Sequence, residues 1–122
     1  MNKVYISFDE IESMVEKIAN KVKSLDLENV YGQPRGGLVP AVMLSHKLGI
    51  PLILDINKVS DNTLFVEEII DTGKTLLGLK EKIGNCTVVC LTKRYTSKFE
   101  PYYYVKFIDN DDWLVFPWEI NE

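Results

Sequence analysis

Residues 64–76 read Leu-Phe-Val-Glu-Glu-Ile-Ile-Asp-Thr-Gly-Lys-Thr-Leu. An apolar run passes through two adjacent acids, Glu67 and Glu68, into a small, hydroxyl-bearing turn, Asp71-Thr72-Gly73-Lys74-Thr75. Where such a turn opens a helix, unpaired backbone N–H groups and the positive end of the helix dipole converge on one spot, which suits a phosphate monoester. Thr72 and Thr75 add hydroxyl donors. Two carboxylates beside a phosphate repel it unless a divalent cation or a pair of hydroxyls lies between them. A sugar phosphate with free ring hydroxyls satisfies both halves. Gly73-Lys74-Thr75 invites comparison with a Walker A loop, but that motif requires glycine where this chain has Glu68, which argues against a phosphate-loop NTPase.

A second loop, Gly32-Gln33-Pro34-Arg35-Gly36-Gly37-Leu38-Val39-Pro40-Ala41, lets the backbone approach an anion closely and adds one fixed positive charge. Arg35 can bind phosphate oxygens as a fork. Taken alone, Pro-Arg-Gly-Gly also makes a plain turn. Taken with the first motif, it describes a ligand with a phosphate at one end, ring hydroxyls in the middle and a second, metal-bound anionic group. The remaining reactive side chains point elsewhere. Cys86 and Cys90, four residues apart on an apolar stretch, fit neither a redox pair nor a zinc site and read as buried, reduced and structural. His46 is the single histidine, beside Lys47 in helical patterning, so a histidine-based metal cluster is excluded and a surface position expected.

The elements that must position these loops alternate along the chain. Ser7-Phe8-Asp9-Glu10 reads as a capping box, and Ile11, Met14, Val15, Ile18, Val22 and Leu25 follow at helical spacing, which predicts an amphipathic helix over 8–24. Residues 28–31 form a short strand candidate, the glycine-rich loop follows, and 38–48 return to helical patterning with Gly49 as a stop. Residues 51–54 begin a second strand, 64–66 a third, 72–83 another helix and 86–91 a fourth, buried strand. This order predicts the α/β class: a parallel twisted sheet flanked by helices, with ligands at the carboxyl ends of its strands. The β-rich runs 102–108 and 113–116, split by Asp109-Asn110-Asp111-Asp112, predict a small antiparallel C-terminal β hood.

The composition sets the bounds. At 122 residues the chain is expected to form a single domain, 1–122, because a second core needs roughly 50 to 100 more residues. Fourteen basic against eighteen acidic residues leave a net charge of −4, the wrong sign for holding nucleic acid on a broad basic face. An anionic ligand must therefore be gripped locally. No stretch has the order of a signal peptide or the length of a membrane span, so no membrane contact and a cytoplasmic location are expected.

On the residues of Glu67 to Thr75 the chain resembles the type I phosphoribosyltransferases, whose signature is an apolar strand, two acids, two further residues and Asp-Thr-Gly-x-Thr. The resemblance implies that Glu67 and Glu68 hold the ribose hydroxyls and Mg²⁺ of phosphoribosyl diphosphate, and that Asp71, Thr72, Gly73, Lys74 and Thr75 bind its 5′-phosphate. Residues 32–41 look like the family's diphosphate loop, with an unusual peptide geometry before Arg-Gly-Gly and with Arg35 and Gly36 facing the pyrophosphate. Thr92-Lys93-Arg94 and Asp112-Trp113-Leu114-Val115-Phe116-Pro117-Trp118-Glu119 look like the small xanthine, guanine and hypoxanthine enzymes. That likeness implies that Lys93 meets the 6-oxo group, that Trp113 stacks on the purine and that Leu114 lies near its 2-position. It also implies Asp71 and Arg35 as catalytic residues, Asp71 near the purine N7 and Arg35 on the leaving group. A homodimer is implied as well.

The sequence departs from the family pattern in two places. Only residues 55–63 are available where the family carries a long loop that closes over the diphosphate, too few for a lid, although Lys58 lies within them. The acid pair is Glu-Glu where an Asp is common. The expected activity is transfer of a phosphoribosyl group to a 6-oxopurine. The alternative is a non-catalytic protein that senses phosphoribosyl diphosphate or a nucleotide, which would keep both loops without a lid.

Overall fold

The computed structural model describes residues 2–119. Its elements are strand β1 (Lys3–Tyr5), helix α1 (Phe8–Val22), β2 (Asn29–Gly32), α2 (Leu38–Leu48), β3 (Leu52–Ile53), a 3₁₀ turn (Ile56–Lys58), β4 (Thr63–Ile70), α3 (Lys74–Gly78), α4 (Lys80–Ile83), β5 (Thr87–Arg94), β6 (Tyr103–Ile108) and β7 (Trp113–Val115). Five strands form one sheet in the order β3-β2-β4-β5-β6, and every neighbouring pair in it is parallel.

Local chemistry explains the helices. Ser7 caps α1, accepting from the Glu10 amide while the Glu10 carboxylate accepts from the Ser7 amide, which satisfies two otherwise orphaned donors. Ile11, Met14, Val15, Ile18, Ala19 and Val22 turn one face of α1 into the core. The helix ends at Val22, two residues before the expected stop. Gly49 closes α2 in the left-handed region, at φ 67°, where a side chain would be strained. The sheet is covered on both faces. With α1 and α2 pack Val30, Leu64, Val66, Val89 and Leu91; Phe65, Ile70, Val88 and Cys90 pack with Leu76 and Ile83.

Several boundaries differ from the sequence reading, each for a tertiary reason. The third strand extends to Ile70, because pairing with β2 on one side and β5 on the other holds the acids in extended backbone. The single helix expected over 72–83 is two short ones meeting at Leu79. The hood is corrected most. β6 is a parallel edge strand of the main sheet, and β7 pairs in parallel with the N-terminal β1 through Lys3–Trp113, Val4–Leu114 and Tyr5–Val115. An antiparallel hairpin would need the turn at 109–112 to reverse the chain between two paired strands. Here residues 95–102 cross over the sheet without a helix, so β6 runs alongside β5. His46 is exposed, as expected. Among the described residues no helix is long and apolar enough to cross a membrane.

Candidate active site

The phosphate-type turn sits where β4 leaves the sheet. Gly73, at φ 83°, caps α3, and a methyl there would lie 2.8 Å from both the Cβ and the backbone nitrogen of Phe99. The crossover 95–102 braces the turn: the Lys98 amide donates to the Thr72 carbonyl at 2.9 Å and the Thr96 hydroxyl to the Asp71 carbonyl at 3.1 Å. Among the described residues the amides of Gly73, Thr75 and Leu76 have no hydrogen-bond partner. They border a hollow of about 110 Å³ lined by Glu67, Ile69, Ile70 and residues 71–76. Because α3 has five residues, this hollow depends more on those free amides, the Thr72 and Thr75 hydroxyls and the Lys74 charge than on a long helix dipole.

The two acids part company, as neighbours on a strand must. Glu67, in register with Cys90, faces the phosphate-side hollow, half-buried and without a hydrogen-bond partner among the described residues. Burial, and then the nearby Glu68 charge, push its pKa up to about 8. Glu68 accepts from the Trp118 indole N–H at 3.0 Å, and a methyl added at Gly36 would overlap its carboxyl. Glu68 thus ties β4 to the first loop and to the C-terminal segment.

In that first loop the Pro34–Arg35 peptide bond is cis, which meets the expectation of unusual geometry before Arg-Gly-Gly. The Gln33 amide donates to the Val66 carbonyl at 3.0 Å and the Gly37 amide to the Gln33 carbonyl at 2.9 Å, which pins the loop against β4. Arg35 is exposed at its rim. The connection after β3 carries Lys58 in its 3₁₀ turn and lies against α4, where Lys82 donates to Asn57 at 3.2 Å, rather than over the two loops.

A second cavity, of about 150 Å³, adjoins the phosphate-side hollow and shares Ile69 and Asp71 with it. Glu68, Arg94, Trp113 and Leu114 are among its other walls. Trp113 is 45% exposed, so its ring is open to a flat partner, whereas Trp118 is committed to Phe116, stacked at 5.3 Å, and to Glu68. The structure therefore brings together Asp71, Trp113 and Leu114 but not Lys93. The Lys93 ammonium pairs with Glu100 at 2.9 Å and lies over the Tyr104 ring at 5.2 Å.

Sequence reasoning missed Arg94, the Thr96–Phe99 brace and the grip of Trp118 on Glu68. Arg94 is 7% exposed, and its Nε lies 3.0 Å from Asp71 Oδ1 while its Nη1 donates to the Asn110 carbonyl at 2.6 Å. The signal for it was present, since alternation at the end of a strand sends Lys93 and Arg94 to different surroundings. Both thiols are free; burial pushes Cys86 up to about 11 and Cys90 higher, so neither is a nucleophile at neutral pH.

No model of a known protein family matches the chain. Individual proteins do. A purine phosphoribosyltransferase from Pyrococcus horikoshii Ot3 superposes with a TM-score of 0.86 at 30% identity, over 100% of this chain and 97% of that one. A xanthine-guanine phosphoribosyltransferase from Vibrio vulnificus is 26% identical over 98% of this chain and 90% of its own length. The Helicobacter pylori xanthine-guanine-hypoxanthine phosphoribosyltransferase shares the fold, with a TM-score of 0.78 at 20% identity over 98% and 95% of the two chains. Two adjoining hollows at the carboxyl end of the acid-pair strand, with the Arg-Gly-Gly loop set against Glu68, coincide with a match to the Pyrococcus protein over nearly the whole of both chains; the chain belongs to the purine phosphoribosyltransferases of the type I family.

Proposed function

We propose that this chain transfers the 5-phosphoribosyl group of phosphoribosyl diphosphate to a 6-oxopurine (xanthine, guanine or hypoxanthine), giving a nucleoside 5′-monophosphate and pyrophosphate. The observation that carries this reading is the pair of hollows sharing Asp71. One, rich in free amides and hydroxyls, suits a 5′-phosphate; the other, walled by Trp113 and Leu114, suits a base; the ribose would lie between them. Arg35 and Gly36 would meet the leaving pyrophosphate, a role supported by the exposed Arg35 and by Gly36 lying against Glu68.

The acid pair fits a magnesium ion carried in on the substrate. Glu67 is a half-buried, unpartnered carboxyl that a cation would relieve, and among the described residues no cluster of three His, Cys, Asp or Glu makes a resident metal site. Magnesium takes one or two carboxylates together with phosphate oxygens and waters. Glu67 and Glu68 would hold it with the ribose hydroxyls, and when bound it supplies charge neutralisation on the diphosphate. The chain's own residues do the rest. The phosphate turn and Trp113 hold the two reactants in line, and Arg35 offsets charge on the leaving group. As the C1′–oxygen bond breaks, positive charge builds on the ribose; N9 of the base bonds to C1′ and the proton on N7 passes to Asp71.

We further propose a homodimer, supported by the half-exposed rings of Tyr95, Tyr102 and Phe107. Purified protein mixed with phosphoribosyl diphosphate, Mg²⁺ and each base should yield nucleotide and pyrophosphate in equal amounts. No nucleotide from any base overturns the enzyme reading, and saturable binding of phosphoribosyl diphosphate without turnover would indicate a sensor.

A further inference from the structure

The C-terminal segment carries a second tryptophan to which the proposed reaction gives no task. Trp118 is half-buried, stacked on Phe116 at 5.3 Å with 14° between the ring planes, and tilted against Phe8 at 6.4 Å. A tight turn fixes it. The Phe116 amide donates to Glu119 Oε1 at 2.7 Å and the Glu119 amide to the Phe116 carbonyl at 2.9 Å, while the Ile6 amide donates to the Val115 carbonyl at 2.9 Å just before the turn. The indole N–H is thereby aimed at Glu68 Oε2, 3.0 Å away. Glu68 is held from other sides as well. Its own carbonyl accepts from the Thr92 hydroxyl at 3.0 Å, and its carboxyl lies where a methyl on Gly36 would stand, so the first loop fits around it only because residue 36 has no side chain.

We infer that Trp118 is a positioning residue of the ribose site: its indole N–H holds the Glu68 carboxylate where the ribose hydroxyls and magnesium of phosphoribosyl diphosphate would meet it. This rests on the role proposed above for the acid pair. Glutamate is among the side chains that lose most rotamer entropy when fixed, so one ordered in advance spares the ligand that cost. An indole suits the task because it is neutral and can only donate. It directs one carboxylate oxygen and leaves the negative charge for the cation, whereas Lys or Arg in its place would compete with the cation. The same segment supplies Trp113, Leu114, Phe116 and Glu119 to the cavity that Glu68 also lines, so one stretch of chain walls the proposed base site and orients the acid beside it. A role in packing alone would need the ring of Trp118 but not its N–H, and the two can be separated.

Trp118→Phe keeps a ring to stack on Phe116 and removes the N–H. Calorimetric titration of phosphoribosyl diphosphate with Mg²⁺ into wild type, Trp118→Phe, Glu68→Ala and the double variant reads the effect without requiring turnover. Trp118→Phe should weaken binding about 5- to 20-fold. Glu68→Ala should weaken it at least as much, and the double variant no further than Glu68→Ala, because without the carboxylate the indole has nothing to orient. In turnover by Trp118→Phe, the KM for phosphoribosyl diphosphate should rise while that for the purine stays unchanged. An equal loss from Trp118→Phe with and without the Glu68 carboxylate overturns the inference, as does unchanged affinity in Trp118→Phe. If Trp118→Phe does not fold, solvent exchange of the Trp118 indole N–H decides, read by NMR in wild type with Trp113→Phe to assign the signal. Exchange should slow about 10-fold when phosphoribosyl diphosphate and Mg²⁺ bind, and a rate the ligand does not change overturns the inference. Binding that depends on Trp118 through Glu68 in a protein that makes no nucleotide would leave the inference standing and overturn the enzyme reading. Wild type that does not bind phosphoribosyl diphosphate overturns both.

Discussion

Glu67 carries a carboxyl whose pKa in the folded chain, about 8, lies above its ordinary value of 4.5 because burial and the Glu68 charge both oppose ionisation. The folded state therefore binds the extra proton between those values. Its contribution to stability is complete below about pH 4.5 and is lost as pH rises through about 8. Glu67→Gln removes this slope: in metal-free buffer its stability should gain on that of wild type between pH 5 and pH 8 by roughly 2 to 5 kcal/mol, seen as a rise in relative melting temperature. Thermal melts of both proteins at the two pH values check it, and parallel pH dependence would count against the assignment. The role of this acid pair could be read from its place in a contiguous motif. That Glu67 faces the phosphate hollow while Glu68 is held by Trp118, fifty positions away, could not.

At the scale of elements, the phosphate turn is a property of two segments. Residues 71–75 supply the amides and hydroxyls, but the crossover 95–102 holds them through Lys98, Thr96 and Phe99. Two glycines separate these contributions. Gly49 and Gly73 both have positive φ, but nothing lies within 4 Å of where a methyl on Gly49 would stand, whereas at Gly73 it would meet the Phe99 backbone. Gly49→Ala should cost about 1 kcal/mol, the backbone penalty alone. Gly73→Ala should cost roughly 2 to 4 kcal/mol, since overpacking adds to that penalty, and should also weaken phosphoribosyl diphosphate binding. Denaturant titration of the two variants distinguishes these outcomes; equal losses would mean the brace is not rigid. The crossover was hard to read because it has neither helical nor strand periodicity, and the contacts by which it braces the turn are distant in sequence.

The whole molecule of 122 residues carries both loops and the cavity proposed for the base but spends only residues 54–62 between β3 and β4. That connection packs against α4, so on the proposed function it leaves the diphosphate open to water within one chain. Wild type should accordingly release pyrophosphate from phosphoribosyl diphosphate and Mg²⁺ in the absence of base, at a rate below that of transfer to a saturating purine. A coupled pyrophosphate assay reads this directly, and no base-independent release would show that the site is closed by other means, such as a second subunit.

What the sequence determined by itself is whatever rests on neighbours along the chain: helix caps and faces, the alternation of strands and helices, and two anion loops whose residues are contiguous. Only the tertiary structure decided that the hood is parallel and borrows β1 from the N-terminus, that Arg94 rather than Lys93 lines the cavity beside Trp113, and that Trp118 holds Glu68. The physical reason is one of range. Periodicity and turn chemistry are set within a few bonds, whereas which strand pairs with which, and where a side chain at a strand's end points, are settled by partners that folding brings from elsewhere in the chain.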